Sequence, residues 1–376
     1  MSPRSIYIHL PFCKTKCPYC DFASYANQDD KKLVYIQALV KEICLRCQEW
    51  NIEQQFIETI FFGGGTPSVH SRAELEMIFS ALRQYFVFSN NIEISLEANP
   101  GTVDKIKFIE FQELGINRIS IGAQTFDPEL LIKLGRGHSV EDTYKTLEYL
   151  SGSGFGSWSF DLIYGLPGQT IESWVETLDI AMSYNPPHIS AYALSIEAAT
   201  PYGMIYQNSA HQDLPVEDDV LAMYALTQET LTNYGLKRYE ISNWAHSGHE
   251  ARHNLTYWNA DEYYAFGLSA HGYVDSIRYA NTRDLGAYIK ALTVGNSQYQ
   301  LSTHCISNEE KLEEKIMLNL RLDRGLLLTD AINKRINMDK LNLHINSGFI
   351  EYLDGRIKLS DKAIMLSNRI IADLLL

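Results

Sequence analysis

Between residues 5 and 235 the chain repeats one pattern: a short β-branched or aromatic run, a Gly/Pro/polar break, then an amphipathic stretch. SIYIHL (5–10), ETIFF (58–62), IEISLEA (92–98), RISIGAQ (118–124), SFDLIYG (159–165) and HISAYALS (188–195) read as strands. The stretches between them read as helices. Leu75, Ile78, Phe79 and Leu82 give helical spacing in one, and Ser71, Thr102, Ser139 and Thr170 stand as N-caps. Residues 216–235 supply a sixth helix. Strand–helix units in such a series call for a parallel sheet with helices outside it. Doubly wound and barrel forms both satisfy that series. The unusual residues narrow the choice. Cys13–Cys20 follow the first strand, Gly63-Gly64-Gly65-Thr66-Pro67 follow the second, and Glu97, Gln124 and Asp161 sit late in the next three. All would gather at the carboxyl edge, where parallel α/β folds place their sites. A partial (β/α)6 barrel of the TIM type brings those ends round one cavity.

After residue 235 the rhythm changes, and three regions are expected. Residues 1–235 form the barrel, 236–296 an aromatic- and His-rich extension, and 297–376 a small α+β, winged-helix-like domain with a hairpin turn at Asp354-Gly355. Residues 296–308 read as a linker. The acidic start of the last region (Glu309, Glu310, Glu313, Glu314) suits a structural or interaction module better than a DNA-binding one.

The formal net charge of −14 does not attract nucleic acid or anionic lipid. The first residues lack the apolar core of a signal peptide, and no apolar run approaches a transmembrane length. With six cysteines in 376 residues there is no disulfide framework. A reduced, cytoplasmic protein is expected, its cysteines free or bound to metal.

Three of those cysteines, Cys13, Cys17 and Cys20, lie in CKTKCPYC at C-x3-C-x2-C spacing. Two positions beyond Cys20, where a further cysteine would fit, stands Phe22. The plain reading is small buried hydrophobes. A zinc reading needs a fourth ligand, for which His9 is at hand. An iron–sulfur reading needs no fourth residue: three thiolates hold three irons of a cubane and leave one iron open to a small molecule. Cys44 and Cys47 form a second C-x2-C, but inside a helix, and read as packing; Cys305 stands alone. GGGTP lacks the lysine of a phosphate-binding loop, and its glycines permit close backbone approach to a ligand. Glu97, Gln124, Arg136 and Asp161 are each unremarkable as caps or solvated residues. Their placement at successive strand ends sets them apart.

CKTKCPYC, with Tyr19 before the last cysteine, resembles the signature of the radical S-adenosylmethionine (SAM) proteins. The resemblance implies a [4Fe–4S] cluster on Cys13, Cys17 and Cys20, with SAM chelating the open iron. It also implies SAM contacts from Gly64, Gly65 and Thr66, and from Glu97, Gln124, Arg136 and Asp161, with Tyr7 facing the cluster. IYIHLPFC, FFGGGTPS, ISIGAQTF and DLIYGLPGQ extend the likeness toward the coproporphyrinogen III oxidase-like branch. That branch holds an oxygen-independent oxidase, which decarboxylates two propionates of its substrate, and haem chaperones. Three features favour the chaperones: Phe22 in place of the further cysteine, only 12 residues before Cys13, and HNLTYW (253–258), similar to the chaperones' HNxxYW. The resemblance implies haem as cargo on His253, with Tyr257 and Trp258 against the porphyrin. It further implies haem-accepting partners, among them membrane respiratory proteins, and a possible homodimer. His246, His249 and His271 are alternative haem ligands.

Overall fold

The structure is a computed structural model, described for residues 2–206, 213–294 and 299–376. All six expected strands form: β1 (Ser5–Leu10), β2 (Gln55–Gly64), β3 (Phe86–Ala98), β4 (Arg118–Gln124), β5 (Ser157–Tyr164) and β6 (His188–Ala193). They lie side by side in chain order, every neighbouring pair parallel. The crossovers carry α1 (Lys32–Glu49), α2 (Arg72–Tyr85), α3 (Lys105–Leu114), α4 (Val140–Ser151) and α5 (Ile171–Ser183); α6 (Glu217–Asn233) follows β6. Ser71 and Ser139 close capping boxes, and Thr170 caps α5. The expected cap at Thr102 is displaced. Asp104 takes the position, its carboxylate accepting from the Lys107 amide, while Thr102 Oγ1 donates to the Asn99 carbonyl.

Sequential order with right-handed crossovers puts every helix on one face of the sheet. Side chains divide accordingly. Ile6, Ile8, Leu10, Ile94, Leu96, Ile119 and Ile121 are buried in the main core. The alternate positions are polar: Glu93, Ser95 and Glu97 on β3, Arg118 and Ser120 on β4, Ser159 and Asp161 on β5, His188 and Ser190 on β6. Most of these line a cavity of about 680 Å³ inside the curved sheet.

The extension adds to the same sheet. β7 (Lys237–Glu240) and β8 (Asn243–Ala245) continue it antiparallel beyond β6, and β9 (Tyr264–Phe266) pairs parallel with β1, giving nine strands that do not close on themselves. Between β8 and β9, α7 (Arg252–Trp258) crosses the amino ends of the strands. Glu93 accepts from the Arg252 and His253 amides, Ser5 bonds Thr256, and Arg118 donates to the His249 carbonyl. The bowl therefore has a floor. Part of the expected linker is ordered otherwise: Gln300–Cys305 forms the outer strand of a three-stranded sheet with His271–Val274 and Ile277–Asn281. Residues 296–298 of that stretch lie outside the described residues.

In the last region, helix Asn308–Asn319 and two short helices precede a hairpin, Ile350–Leu353 and Arg356–Leu359, turned at Asp354-Gly355, where both φ are positive (50° and 74°). Its acidic start is neutralised internally: Arg335 pairs with Glu309 and Glu313, and Arg278 with Glu314.

A buried carboxylate ties the extension to the barrel. Glu42 of α1, fully buried, pairs with Arg46 and accepts from the Gly267 amide, the Asn281 side chain and the Tyr288 hydroxyl. Removing it strands a buried guanidinium. Glu42→Leu is expected to cost about 3–5 kcal/mol, measurable by urea denaturation. A loss under 1 kcal/mol would show that the network contributes little.

Candidate functional site

The cavity rim is built from the loops after the strands. His9, next to last in β1, has both ring nitrogens engaged: Nδ1 with the Tyr7 hydroxyl at 3.0 Å and Nε2 with the Ala23 carbonyl at 3.0 Å. Burial lowers its pKa to about 4, so the ring is neutral. It ties the strand to the far end of the cysteine loop. A zinc reading that borrows His9 would break one of these two bonds, whichever nitrogen it took. Moreover, no three His, Cys, Asp or Glu among the described residues converge on a point fit for one ion.

Cys13, Cys17 and Cys20 all line the cavity. Thr66 Oγ1 donates to Cys13 Sγ at 3.4 Å and Arg136 Nη1 to Cys17 Sγ at 3.6 Å. Burial pushes the Cys13 and Cys20 thiols up. Donors aimed at sulfur and a nearby guanidinium suit thiolates bound to a larger metal group rather than inert packing cysteines. Cys44 and Cys47 lie in α1 and do not line the cavity; Cys305 is exposed on an outer strand.

The GGGTP segment crosses close beneath this loop. Gly64 has φ +112°, and a Cβ there would sit 2.4 Å from the His9 imidazole; one at Gly65 would meet the Pro11 carbonyl carbon at 2.7 Å. Only glycine permits both the backbone conformation and the approach. The Gly64 amide donates to Glu97 at 3.1 Å.

Arg136 is a junction. Nη2 donates to Asn99 Oδ1 (2.6 Å) and the Gly122 carbonyl (2.9 Å), and Nη1 reaches Tyr19 and Cys17; Nε is buried with no partner among the described residues. Gln124, at the end of β4, has φ +67°, a strained conformation for a residue with a Cβ, and lines the same space. Asp161 accepts from Ser120 Oγ at 2.8 Å. Burial raises Asp161 to about 6, and burial plus the nearby Asp161 raises Glu97 to about 8. At neutral pH Glu97 is mostly protonated and can donate a hydrogen bond. Tyr7 stacks near Phe61, ring centroids 6.2 Å apart.

The expected site residues thus share one cavity, though at two depths. His253 lines the floor, 1% exposed. Nδ1 bonds Thr59 Oγ1 and Nε2 bonds the Tyr257 hydroxyl, both at 2.8 Å, and the ring stacks on Phe61. Burial lowers its pKa to about 3. An iron bond at Nε2 must displace Tyr257. Trp258 does not line the cavity, and neither do His246, His249 and His271. Asn99, Arg118 and His188 were not anticipated as site residues. Their signal is in the sequence: polar residues alternate along strands whose other face is purely apolar.

Glu97 gives a test of this electrostatic reading. Its folded pKa, near 8, lies above the value of about 4.3 of an unfolded chain. The native state binds the extra proton between these values, so the group's contribution to stability is lost as pH rises through that window. The Tm of Glu97→Gln, minus that of the unaltered chain, should therefore climb from pH 5 to pH 8. A flat difference would mean that Glu97 is not protonated in the fold.

Three comparisons bear on this site. The model of the radical SAM superfamily matches residues 7–181. The chain is similar to "Heme chaperone HemW" of Lactococcus lactis, 34% identical over 100% of this chain and 98% of that protein. It is similar also to the proteins of that name from Bacillus subtilis (35%, over 86% and 84%) and Escherichia coli (38%, over 73% and 71%). Among solved structures, the coproporphyrinogen III oxidase HemN of Escherichia coli superposes with a TM-score of 0.84, at 22% identity over 99% of this chain and 90% of that one, a likeness of fold.

Proposed function

The chain belongs to the HemW family within the radical SAM superfamily, and from that premise we propose that it binds haem and hands it to haem-accepting proteins. The observation that carries the proposal is a single cavity with three cysteines at its rim and a histidine at its floor. A [4Fe–4S] cluster on Cys13, Cys17 and Cys20 would leave one iron for the amino and carboxylate groups of SAM. Around it this chain's residues have separable tasks. Thr66 and Arg136 hold the sulfurs by hydrogen bonds. Gly64 and Gly65 let backbone approach the ligand. Asp161 is placed to accept from hydroxyls such as those of a ribose, while protonated Glu97 can donate. Arg136 Nε remains for a carboxylate. Tyr7 and Gln124 border the same space.

We assign haem ligation to His253, with Tyr257 as a gate on Nε2. Burial keeps the imidazole neutral, the form that coordinates iron. Acceptors are proposed to include membrane respiratory proteins, reached by docking to protein from the cytoplasm. No described helix is long and apolar enough to cross a membrane. Anaerobic incubation with SAM, reductant and coproporphyrinogen III tests the reading directly. Haem binding without decarboxylated product supports it, and sustained turnover of both SAM and porphyrinogen refutes it.

Two sets of variants follow. Cys13→Ala, Cys17→Ala or Cys20→Ala should abolish cluster absorbance after anaerobic reconstitution, and Cys44→Ala and Cys47→Ala should leave it intact; the reverse pattern would move the cluster. Tyr257→Phe removes the competitor for Nε2 and should tighten haem roughly 2- to 10-fold, whereas His253→Ala should weaken it at least about tenfold. Unchanged affinity in both, by absorbance titration, places the ligand elsewhere.

A further inference from the structure

The cavity floor holds two donors that the proposed cluster, SAM and haem-iron contacts leave unused. Arg118, the first residue of β4, is 4% exposed and lines the cavity. Its Nη1 is fixed by Ser157 Oγ at 2.8 Å and the His249 carbonyl at 2.9 Å. Its Nη2 is buried and has no hydrogen-bond partner among the described residues, so no carboxylate lies within reach of it. Asp161 attracts the guanidinium at longer range, but a buried N–H donor left without a hydrogen bond is costly.

His188, at the start of β6, faces the same space and is equally buried. Its Nε2 bonds Tyr239 Oη at 2.9 Å, and that hydroxyl already accepts from the Ala251 amide. The same oxygen takes a hydrogen bond from the Asn254 side chain, so with both lone pairs occupied the phenolic proton goes to Nε2, and a neutral imidazole then carries its own proton on Nδ1. Burial and neighbouring Arg118 hold the ring neutral. Nδ1, like Arg118 Nη2, has no partner among the described residues. Ser95 Oγ, on β3 in register with Arg118, is a further unpartnered buried group lining the cavity. The carboxylates here are otherwise engaged: Asp161 with Ser120, Glu93 with the first amides of α7.

We propose that Arg118, His188 and Ser95 form a carboxylate-binding subsite at the cavity floor, which takes a propionate of the tetrapyrrole cargo. Two fixed donors and a hydroxyl complement a carboxylate, and the guanidinium supplies the charge. Haem is an apolar disc with two propionates, so such a contact would fix its orientation beside His253. The assignment of the ligand rests on the haem reading; the anion site itself does not.

The test uses the full, cluster-reconstituted chain with SAM present throughout. Haem and its dimethyl ester are titrated by absorbance, in the same dilute detergent, against the unaltered chain, Arg118→Gln and His188→Phe. The unaltered chain should bind haem roughly 10- to 100-fold more tightly than the ester. Arg118→Gln should bring haem down to the affinity of the ester and leave the ester unchanged. Equal affinity of the unaltered chain for both, or equal weakening of both by the substitution, overturns the subsite. If Arg118→Gln does not fold, His188→Phe carries the same comparison with a loss of roughly 3- to 10-fold. If no form of haem binds, the cargo reading fails, and sodium propionate becomes the probe. Thermal stabilisation of the unaltered chain but not of the Arg118 variant, or of the His188 variant in its place, keeps the subsite, and stabilisation of neither chain overturns it.

Discussion

A parallel sheet whose helices all lie on one side must still satisfy its other face, and this constraint governs the molecule. Six strands in chain order leave that face to itself. It cannot be apolar without a second layer to cover it, and here it is polar: serines, carboxylates, an arginine and a histidine at alternate positions. Curling the sheet turns this face into the wall of a cavity. The cost of holding polar groups away from bulk water is met locally, by Ser120 on Asp161, Gly64 on Glu97 and Asn99 on Arg136. Where it is not met, at Arg118 and His188, a ligand is invited.

The barrel and most of its rim were legible in the sequence because their determinants are local. Strand runs, cap residues and the C-x3-C-x2-C spacing need no knowledge of distant partners. Thr102 was misread as a cap since an Asx or Thr residue near a helix start is only locally plausible; the Asp104 carboxylate, two residues on, reaches the Lys107 amide. Residues 300–305 read as a linker because five of the six are exposed and the strand pairs on one side only, with Ile277–Asn281. An outer strand of that kind carries no apolar alternation to reveal it.

The extension was the least legible region, for a physical reason. Its contribution to the site is long-range: α7 reaches β1, β2 and β3 through hydrogen bonds with Ser5, Thr59 and Glu93, and the segment just before it reaches β4 through Arg118 and the His249 carbonyl. HNLTYW therefore looks like a cofactor motif in the sequence, and in the fold it is also masonry, with both nitrogens of His253 bonded to protein. The Glu42 network does the same work from outside, linking α1 to Gly267, Asn281 and Tyr288. Neither link leaves a periodic trace.

The unclosed sheet has a mechanical meaning. Between β9 and β7 no backbone ladder joins the wall. Instead, Asn319 of the last region donates to the Trp258 carbonyl at the end of α7, Arg324 bonds Asn259, and Asp323 donates its amide to Tyr239 on β7. A sealed barrel would have to tear a run of paired strands to let a rigid disc pass sideways. Here Arg238 of β7 also pairs with Asp323 and Asp361, and a bridge joins Glu240 to Leu322; the wall is completed by the tertiary contacts of another region, so its continuity depends on how that region packs and not on a strand ladder.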